Sequence, residues 1–351
     1  MPNESGDGRQ RGLRSALARL KQAGLVSDVR VFSYLWRIRA GSITVFADLC
    51  RAVREFNPDI ILIQHPAGTG LSRSNWAQLR ALSDFRLVFH EGDAYDLWRK
   101  RIPREVIAAA AASDVAFAVG ATRQMAYLRK AGCRDVRWTP HVYNADDFGL
   151  SSPNRNKTYD VILIGNEISS KVPLKSIPGA RERGRLVKKL SERFGERFAV
   201  FGRGWAGANA RGPVPYLEQE SVIQSAWVSA NWDHYPNEHY YFSDRLPISL
   251  ASGTIHVTST HPGYDTLFDS EAEYLHHVES STKVVDRVQS ILERTTPSQR
   301  LQIAEKGREF AMEHLRQDDN LVVLLNAGGA EIDPKLARQA WQINVEPLGE
   351  M

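Results

Sequence analysis

Along the first 150 residues, short apolar runs rich in β-branched and aromatic side chains alternate with segments whose apolar positions recur at helical spacing. VRVFSY (29–34), DIILIQH (59–65), FRLVFH (85–90), DVAFAV (114–119) and DVRWTP (135–140) read as strands. Between them GLRSALARLKQAG, FADLCRAVREF, SNWAQLRAL, REVIAAAAA and RQMAYLRKAG read as helices. The strand runs are continuously apolar rather than alternating, as expected of strands covered on both faces, so the pattern predicts a parallel sheet wrapped by helices.

The second half starts the pattern afresh. YDVILIG (159–165) is a buried strand, RGRLVKKLSERFG an amphipathic helix, and RFAVFG, AWVSANW, TIHVT and EYLHHV are further strands. Four helical segments close the chain: VVDRVQSILERT, SQRLQIAEKGREFAMEHL, DDNLVVLLNA and PKLARQAWQI. GLSSPNRNKT (149–158) is polar and rich in turn formers, which makes it the expected linker. The expected division is therefore an α/β domain over 1–150, a second over 151–330, and a helix within 331–351 packing back toward the first. One feature is out of place. The first clear element is a helix, so either a first strand is absent or the chain starts late, and no glycine-rich first turn supports a dinucleotide site.

Length favours two domains: 351 residues exceed one ordinary core. With 42% hydrophobic and 25% charged residues, and no apolar run long enough to span a bilayer, the composition is that of a water-exposed globular chain. MPNESGDGRQRG lacks the apolar core of a signal peptide, and two cysteines without a CxxC pair fit a reducing compartment, so a cytoplasmic location is expected. The net charge of +4 hides an asymmetry. Residues 1–150 hold 22 Lys+Arg against 15 Asp+Glu (+7), leaving 23 against 26 (−3). A basic first half points either to an anionic partner or to solvated helix faces.

Ligands of open parallel sheets bind beyond the carboxyl ends of the strands. In the first half those ends carry His65 and then Glu91, Gly92 and Asp93; in the second they carry Gly165, Asn166 and Glu167, then Gly202, Arg203, Gly204 and Trp205. Lys171, Arg181, Arg183 and Arg185 follow downstream. Small residues admit a close backbone approach, arginines offer charge-assisted contacts to phosphate, and Trp205 or Tyr216 can line a base. SDRLPISLASG (243–253) reads as a short helix whose first turn brings Ser243, Asp244 and Arg245 to an anion; Ser243 or Asp244 serves equally as an N-cap.

The order of these stretches is more specific than any one of them. YDVILIGNE, FAVFGRGW, PVPYLEQESVIQSAWVSANW, SDRLPISLASGTIHVT and YDTLFDSEAEYLHHV together resemble the second domain of CgeB-type glycosyltransferases, the spore-maturation-protein group of the GT-B superfamily. FNPDIILIQ and SDVAFAVGATRQMAYLRKAGCRDVRWTPHVYNADDFG extend the resemblance over residues 25–325. It implies two Rossmann-like domains facing across a cleft, a nucleotide-sugar donor (a UDP-sugar) on the second, an acceptor on the first, and no separate cofactor. The donor contacts it implies are Gly165, Asn166, Lys171, Gly202, Arg203, Trp205, Tyr216, Ser243, Asp244, Arg245 and Ser249, with Arg245 toward the diphosphate. There is a departure: the group reads R-x-F-E-x-x-A-x-G where this chain has Pro247 and Ile248, so the glutamate contact to donor hydroxyls is missing and Asp244 is the candidate replacement.

Sugar transfer needs the departing diphosphate stabilised and, where the anomeric centre inverts, a base for the acceptor hydroxyl. The resemblance assigns the first task to Arg245, Arg203 and Lys171 in place of a metal. For the base, Asp93 leaves its strand through HEGDAYD; Glu91 and His65 are the alternatives. The acceptor is a glycan, a lipid-linked sugar or a small molecule, or else a 5-hydroxymethylated pyrimidine in DNA, as in bacteriophage DNA-modifying glycosyltransferases that resemble this group. The DNA reading draws on GRQRGLRSALARLK, RVFSYLWRIR and LWRKRIPR as phosphate-facing segments and on Trp36 and Trp98 for stacking. A non-catalytic nucleotide-sugar-binding protein is the competing class.

Overall fold

The apolar runs become strands because each finds a parallel neighbour, and the helical segments cover them. The structure, a computed structural model, describes residues 1, 2, 4, 10–96, 98–168 and 176–350. The first elements are α1 (Arg11–Gln22), α2 (Tyr34–Arg39), α3 (Val45–Phe56), β1 (Ile60–Gln64), α4 (Arg73–Arg80), β2 (Arg86–Glu91), α5 (Arg104–Ala112), β3 (Val115–Ala118), α6 (Arg123–Ala131) and β4 (Asp135–Trp138). Next come β5 (Tyr159–Ile164), α7 (Ala180–Phe194), β6 (Phe198–Phe201), α8 (Gln219–Gln224), β7 (Ala226–Ala230), α9 (Arg245–Ala251) and β8 (Ile255–Ser259). The chain ends with α10 (Tyr264–Leu267), β9 (Leu275–Val278), α11 (Ser281–Arg294), α12 (Pro297–His314), α13 (Gln317–Ala327) and α14 (Pro334–Ala340).

Two compact units result. The first comprises Met1–Leu97, Arg101–Thr139 and Gln317–Met351, the second Trp98–Lys100 and Pro140–Arg316. The division falls at 139/140 rather than within 149–158, and the chain returns to the first unit with α13, ahead of the expected 331–351 segment. The burial pattern explains the return. Successive strand residues face opposite sides of the sheet, and Ile61, Ile63, Leu87, Phe89, Ala116 and Ala118 share one core with Val45, Leu49, Trp76 and Leu79 of α3 and α4. The other face, with Val88, Val115 and Phe117, needs its own cover, which Leu324 of α13 provides. Leu13, Ala16 and Leu20 of α1 then pack with Leu321, Leu325, Ala337 and Ala340.

The first sheet has strand order β1-β2-β3-β4, all parallel. Among the described residues no strand precedes β1, and VRVFSY is not one. Ser33 gives its backbone N–H to Glu350 at 2.8 Å instead of to a ladder, and α2 starts at Tyr34, although Val31 and Phe32 are buried as the pattern required. At the free edge of β1, Met1 donates its amino group to the Leu62 carbonyl at 2.7 Å and accepts from the Gln64 N–H at 3.0 Å; burial lowers that amine to about 5. The basic residues of α1 also differ from expectation. Arg14 is buried between Glu4 (2.6 Å) and Glu350 (3.0 Å), and Arg19 donates to the Ile343 carbonyl, so neither is offered to an external phosphate.

The second sheet has order β6-β5-β7-β8-β9, again all parallel. Its core joins Val161, Leu163, Val200, Val228, Ile255 and Val257 to Leu186 and Leu190 of α7 and Val284 and Val288 of α11. The predicted strands and helices of this half are all present. No helix among the described residues is long and apolar enough to cross a membrane.

Candidate functional site

In the second unit the strand ends of β5 and β6 are locked together. Gly202 lies at φ 141°, a region open to glycine, and a Cβ there would sit 2.3 Å from the Gly165 carbonyl oxygen. The Trp205 indole N–H donates to that same oxygen at 2.6 Å, Asn166 Oδ1 accepts from the Arg203 N–H at 2.8 Å, and Glu167 N–H donates to the Arg203 carbonyl at 2.9 Å. The polar groups of Asn166 and Trp205 thus hold the two loops, while the Arg203 side chain is exposed.

What this frame presents at Gly165 is a pair of guanidinium groups. A Cβ on Gly165 would meet Arg245 Nε at 3.1 Å, Arg183 Nη1 at 3.3 Å and Arg245 Nη2 at 3.4 Å. Arg245 is oriented by its Nε donating to the Ile164 carbonyl at 2.6 Å, with Asp244 Oδ1 3.4 Å from Nη1. Arg183 comes from α7 and is 2% exposed. Its Nε donates to the Trp232 carbonyl at 2.9 Å and its Nη2 to Asn231 Oδ1 at 3.4 Å, but Nη1 is buried with no partner. Burial, and then the neighbouring Arg245, lower Arg183 to about 9. α7 can deliver this residue because Gly179 lets the chain pass under the loop after β7, where a Cβ would lie 2.0 Å from the Asp233 carbonyl oxygen. His234, on that loop, is held neutral, lowered to about 3 by burial and by the same two arginines, and its Nε2 is buried without a partner. Two cations and a neutral imidazole, with Arg183 Nη1 and His234 Nε2 both buried and unpartnered, describe a place for an anion.

The other donor candidates divide. Ser243 is buried and accepts from Asn231 Nδ2 at 3.2 Å. Asp244 stands at the N-cap of α9 without a side-chain cap bond, so neither Ser243 nor Asp244 caps the helix in the expected way. Ser249 is buried against Ser229 Oγ at 2.9 Å, seating α9 on β7; with Ile248, Asp244 and Arg245 it borders a cavity of about 70 Å³. Tyr216 is half exposed and meets the Phe148 ring edge-to-face at 5.1 Å. Lys171 lies outside the described residues. Absent from the expected donor contacts were Arg183, His234, and a buried relay in which Asn231 Nδ2 donates to Asp233 Oδ1 at 2.7 Å and His261 Nε2 meets Asp233 Oδ2 at 3.0 Å. Hydrogen bonds to His261 and Ser243 and the charges of His261 and Arg183 hold Asp233 well below the usual carboxylate range despite its burial. The sequence signal for these was the strand end ANWDH and the arginine pair at 181 and 183.

In the first unit the structure brings together all three base candidates. His65 follows β1 with φ 30°, unusual for a residue with a Cβ. Its Nδ1 lies 2.7 Å from Glu91 Oε1 and 3.4 Å from the Tyr95 hydroxyl, and its Nε2 lies 3.7 Å from Asp93 Oδ2. Glu91 ends β2 and is 2% exposed; Oε1 also accepts from the Asp93 N–H at 2.8 Å, while Oε2 is buried with no partner. Burial raises Glu91 above the usual carboxylate range. Asp93 has a side chain 43% exposed. One ligand atom from each of the three lies within 4.8 Å of the others, a spacing that suits either a proton relay or a cation.

The glycosyl transferase-like family matches residues 181–324, a span that carries Arg183, Arg245, Asp233 and His261 of the second unit and runs into α13 of the first. Among solved structures the chain is similar to a glycosyltransferase from Rickettsia africae ESF-5 (TM-score 0.58, 12% identity, 98% of both chains covered). It is also similar to Anabaena HepE in complex with UDP (TM-score 0.55, 14% identity, 97% of this chain and 99% of that one). A third likeness is to sucrose-phosphate synthase from Thermosynechococcus elongatus (TM-score 0.52, 13% identity, 86% and 80%). No curated protein matches the sequence. At these identities the structural likeness is one of fold. The chain thus shares the fold of these glycosyltransferase structures, and residues 181–324 resemble the glycosyl transferase-like family.

Proposed function

We propose that this chain transfers a sugar from a UDP-linked donor, held in the second unit, to an acceptor hydroxyl. The observation that carries the reading is the meeting of Arg183 and Arg245 at Gly165, with one guanidinium nitrogen buried and unpartnered. A diphosphate oxygen supplies the acceptor that Arg183 Nη1 lacks. In the reaction the bond from the sugar anomeric carbon to the diphosphate oxygen breaks, the electron pair stays on the diphosphate, and the two arginines and His234 receive that charge. The acceptor oxygen forms the new bond and gives up its proton. The UDP-bound structure of HepE favours uridine as the nucleoside.

For the proton we assign the His65–Glu91–Asp93 cluster of the first unit. Glu91 fixes the ring through Nδ1, which leaves Nε2 with Asp93 to take the proton; His65 is then the base and Asp93 its exposed neighbour, a reordering of the expected roles. Calorimetric titration of UDP and of UDP-sugars, followed by an assay for UDP release with and without acceptors, tests the reading. Micromolar UDP binding and sugar-dependent turnover are expected; no UDP binding would refute it.

The CgeB-type relationship and the DNA acceptor belong to the same proposal at a finer level. One observation favours an anionic polymer: Trp98 is 80% exposed beside Arg99, Lys100 and Arg101, while α1 has spent Arg14 internally. Phosphate contacts would give an affinity that falls linearly in log salt, by about −0.9 per phosphate on duplex DNA. Salt-independent or absent DNA binding would leave a glycan or small-molecule acceptor.

A further inference from the structure

Beyond the carboxyl ends of β7, β8 and β9 lies a second cavity, of about 370 Å³, lined by Trp232, Asn237, Thr260, His261 and Glu279 with Pro236, Pro262 and Val278. Its size is within the roughly 300–1,000 Å³ of small-ligand sites, and the strand carboxyl ends are where such sites form. The wall mixes an indole, an amide, a hydroxyl, an imidazole and a carboxylate, the chemistry that recognises a hydroxyl-rich ring.

The cavity adjoins the anion site. Trp232 belongs to both: its carbonyl holds Arg183 Nε at 2.9 Å and the residue lines the cavity. The buried relay from Arg183 through Asn231 and Asp233 ends on His261, another lining residue. His261 Nε2 lies 3.0 Å from Asp233 Oδ2, which leaves Nδ1 facing away from the relay, and that nitrogen is buried with no partner. Two rings flank the imidazole: Tyr264 stacked at 5.0 Å and Tyr241 tilted at 5.5 Å. On the other flank of the anion site α9 offers no hydroxyl partner from Ile248, which is buried and apolar.

We propose that this cavity takes the sugar ring of the donor, with His261 Nδ1 accepting from a ring hydroxyl, Asn237 and Thr260 supplying further contacts, and Asp233 acting as the positioning residue for His261. The proposal rests on the donor reading above and locates the sugar half of that donor.

The test compares UDP with UDP-glucose, UDP-galactose, UDP-N-acetylglucosamine and UDP-xylose by calorimetry on the full chain, for wild type and for Asn237→Ala, Thr260→Val and His261→Gln. The quantity read is the ratio of the UDP dissociation constant to that of the best UDP-sugar. Each substitution should reduce the ratio by about 2- to 10-fold, the range for loss of one hydrogen bond, with the UDP constant itself unchanged. Asn237 is exposed and Thr260 half-buried, so their variants keep the test alive should His261→Gln fail to fold. UDP binding with a ratio unmoved by all three substitutions overturns the sugar subsite alone. A fall in affinity for UDP itself assigns the cavity to the nucleotide and also overturns it. Absence of UDP binding in wild type is the separate failure, that of the donor reading.

Discussion

Replacing Arg183 by Met separates a ligand-binding arginine from a structural one. In the folded chain the Arg183 guanidinium is buried, shares its surroundings with Arg245, and is lowered to about 9 from an ordinary 12.5. At about 1.36 kcal/mol per pKa unit, keeping it charged costs on the order of 5 kcal/mol. Both folded and unfolded forms are protonated at pH 7, so the whole cost is present there, and it declines only as pH rises past 9. Met removes that cost and keeps most of the side-chain volume. Against this, the Trp232 carbonyl and Asn231 Oδ1 each lose a donor, at about 1–3 kcal/mol apiece. The opposing terms are similar in size, so the unliganded variant should unfold close to wild type.

Ligand binding shows the difference. A charge-assisted contact to diphosphate contributes about 1.5–3 kcal/mol, so the UDP dissociation constant should rise roughly 10- to 150-fold. With UDP at a hundred times the wild-type dissociation constant, wild type gains about 2.7 kcal/mol of stability. The variant should gain only about 0.3–1.4 kcal/mol at the same concentration. Differential scanning calorimetry with and without UDP reads both quantities on one sample. A variant that melts like wild type and keeps its UDP affinity within threefold refutes the assignment of Arg183 to the anion site.

Three other outcomes follow from the titrating groups. Exchanging His65 for Gln should lower turnover by about 10²- to 10⁴-fold without changing UDP affinity, and Glu91→Gln should shift the pH profile of turnover rather than abolish it; Asp93→Asn having the larger effect would restore Asp93 as the base. Activity should persist in EDTA, whereas loss in chelator restored by a divalent cation would make His65, Glu91 and Asp93 a metal site. His234, lowered to about 3, and His256, lowered to about 4, bind fewer protons folded than unfolded between those values and 6.5, so stability is greatest above pH 6.5 and falls as pH drops toward 4. With His276, also lowered to about 4, the expected slope is about 4.1 kcal/mol per pH unit for the three, and His256→Gln should lower it by about 1.4 kcal/mol per pH unit in urea titrations.

The strands were legible wherever a continuous apolar run met a neighbour, and the one that failed shows what the pattern lacks. VRVFSY has strand composition and does bury Val31 and Phe32, but a ladder needs a second strand beside it, and here Glu350, more than three hundred residues away in the chain, takes the Ser33 N–H. The basic helix α1 read as a phosphate-facing surface because amphipathic spacing gives no sign that Glu4 and Glu350 will enclose Arg14. The site divides along the same line. Arg245 and Gly165 could be picked out because they stand at strand and helix ends, where local rules apply. Arg183 stood among several arginines of α7, and what distinguishes it is tertiary: Gly179 passes beneath Asp233, and that close approach turns one arginine of the helix inward to Gly165. Asp233 and His261 follow two different strands and meet only because β7 and β8 are neighbours in the sheet. A substitution that lifts α7 away from that loop, Gly179→Ala, should therefore weaken UDP binding although it touches neither arginine. If Gly179→Ala binds UDP as wild type does, the positioning of Arg183 has another origin.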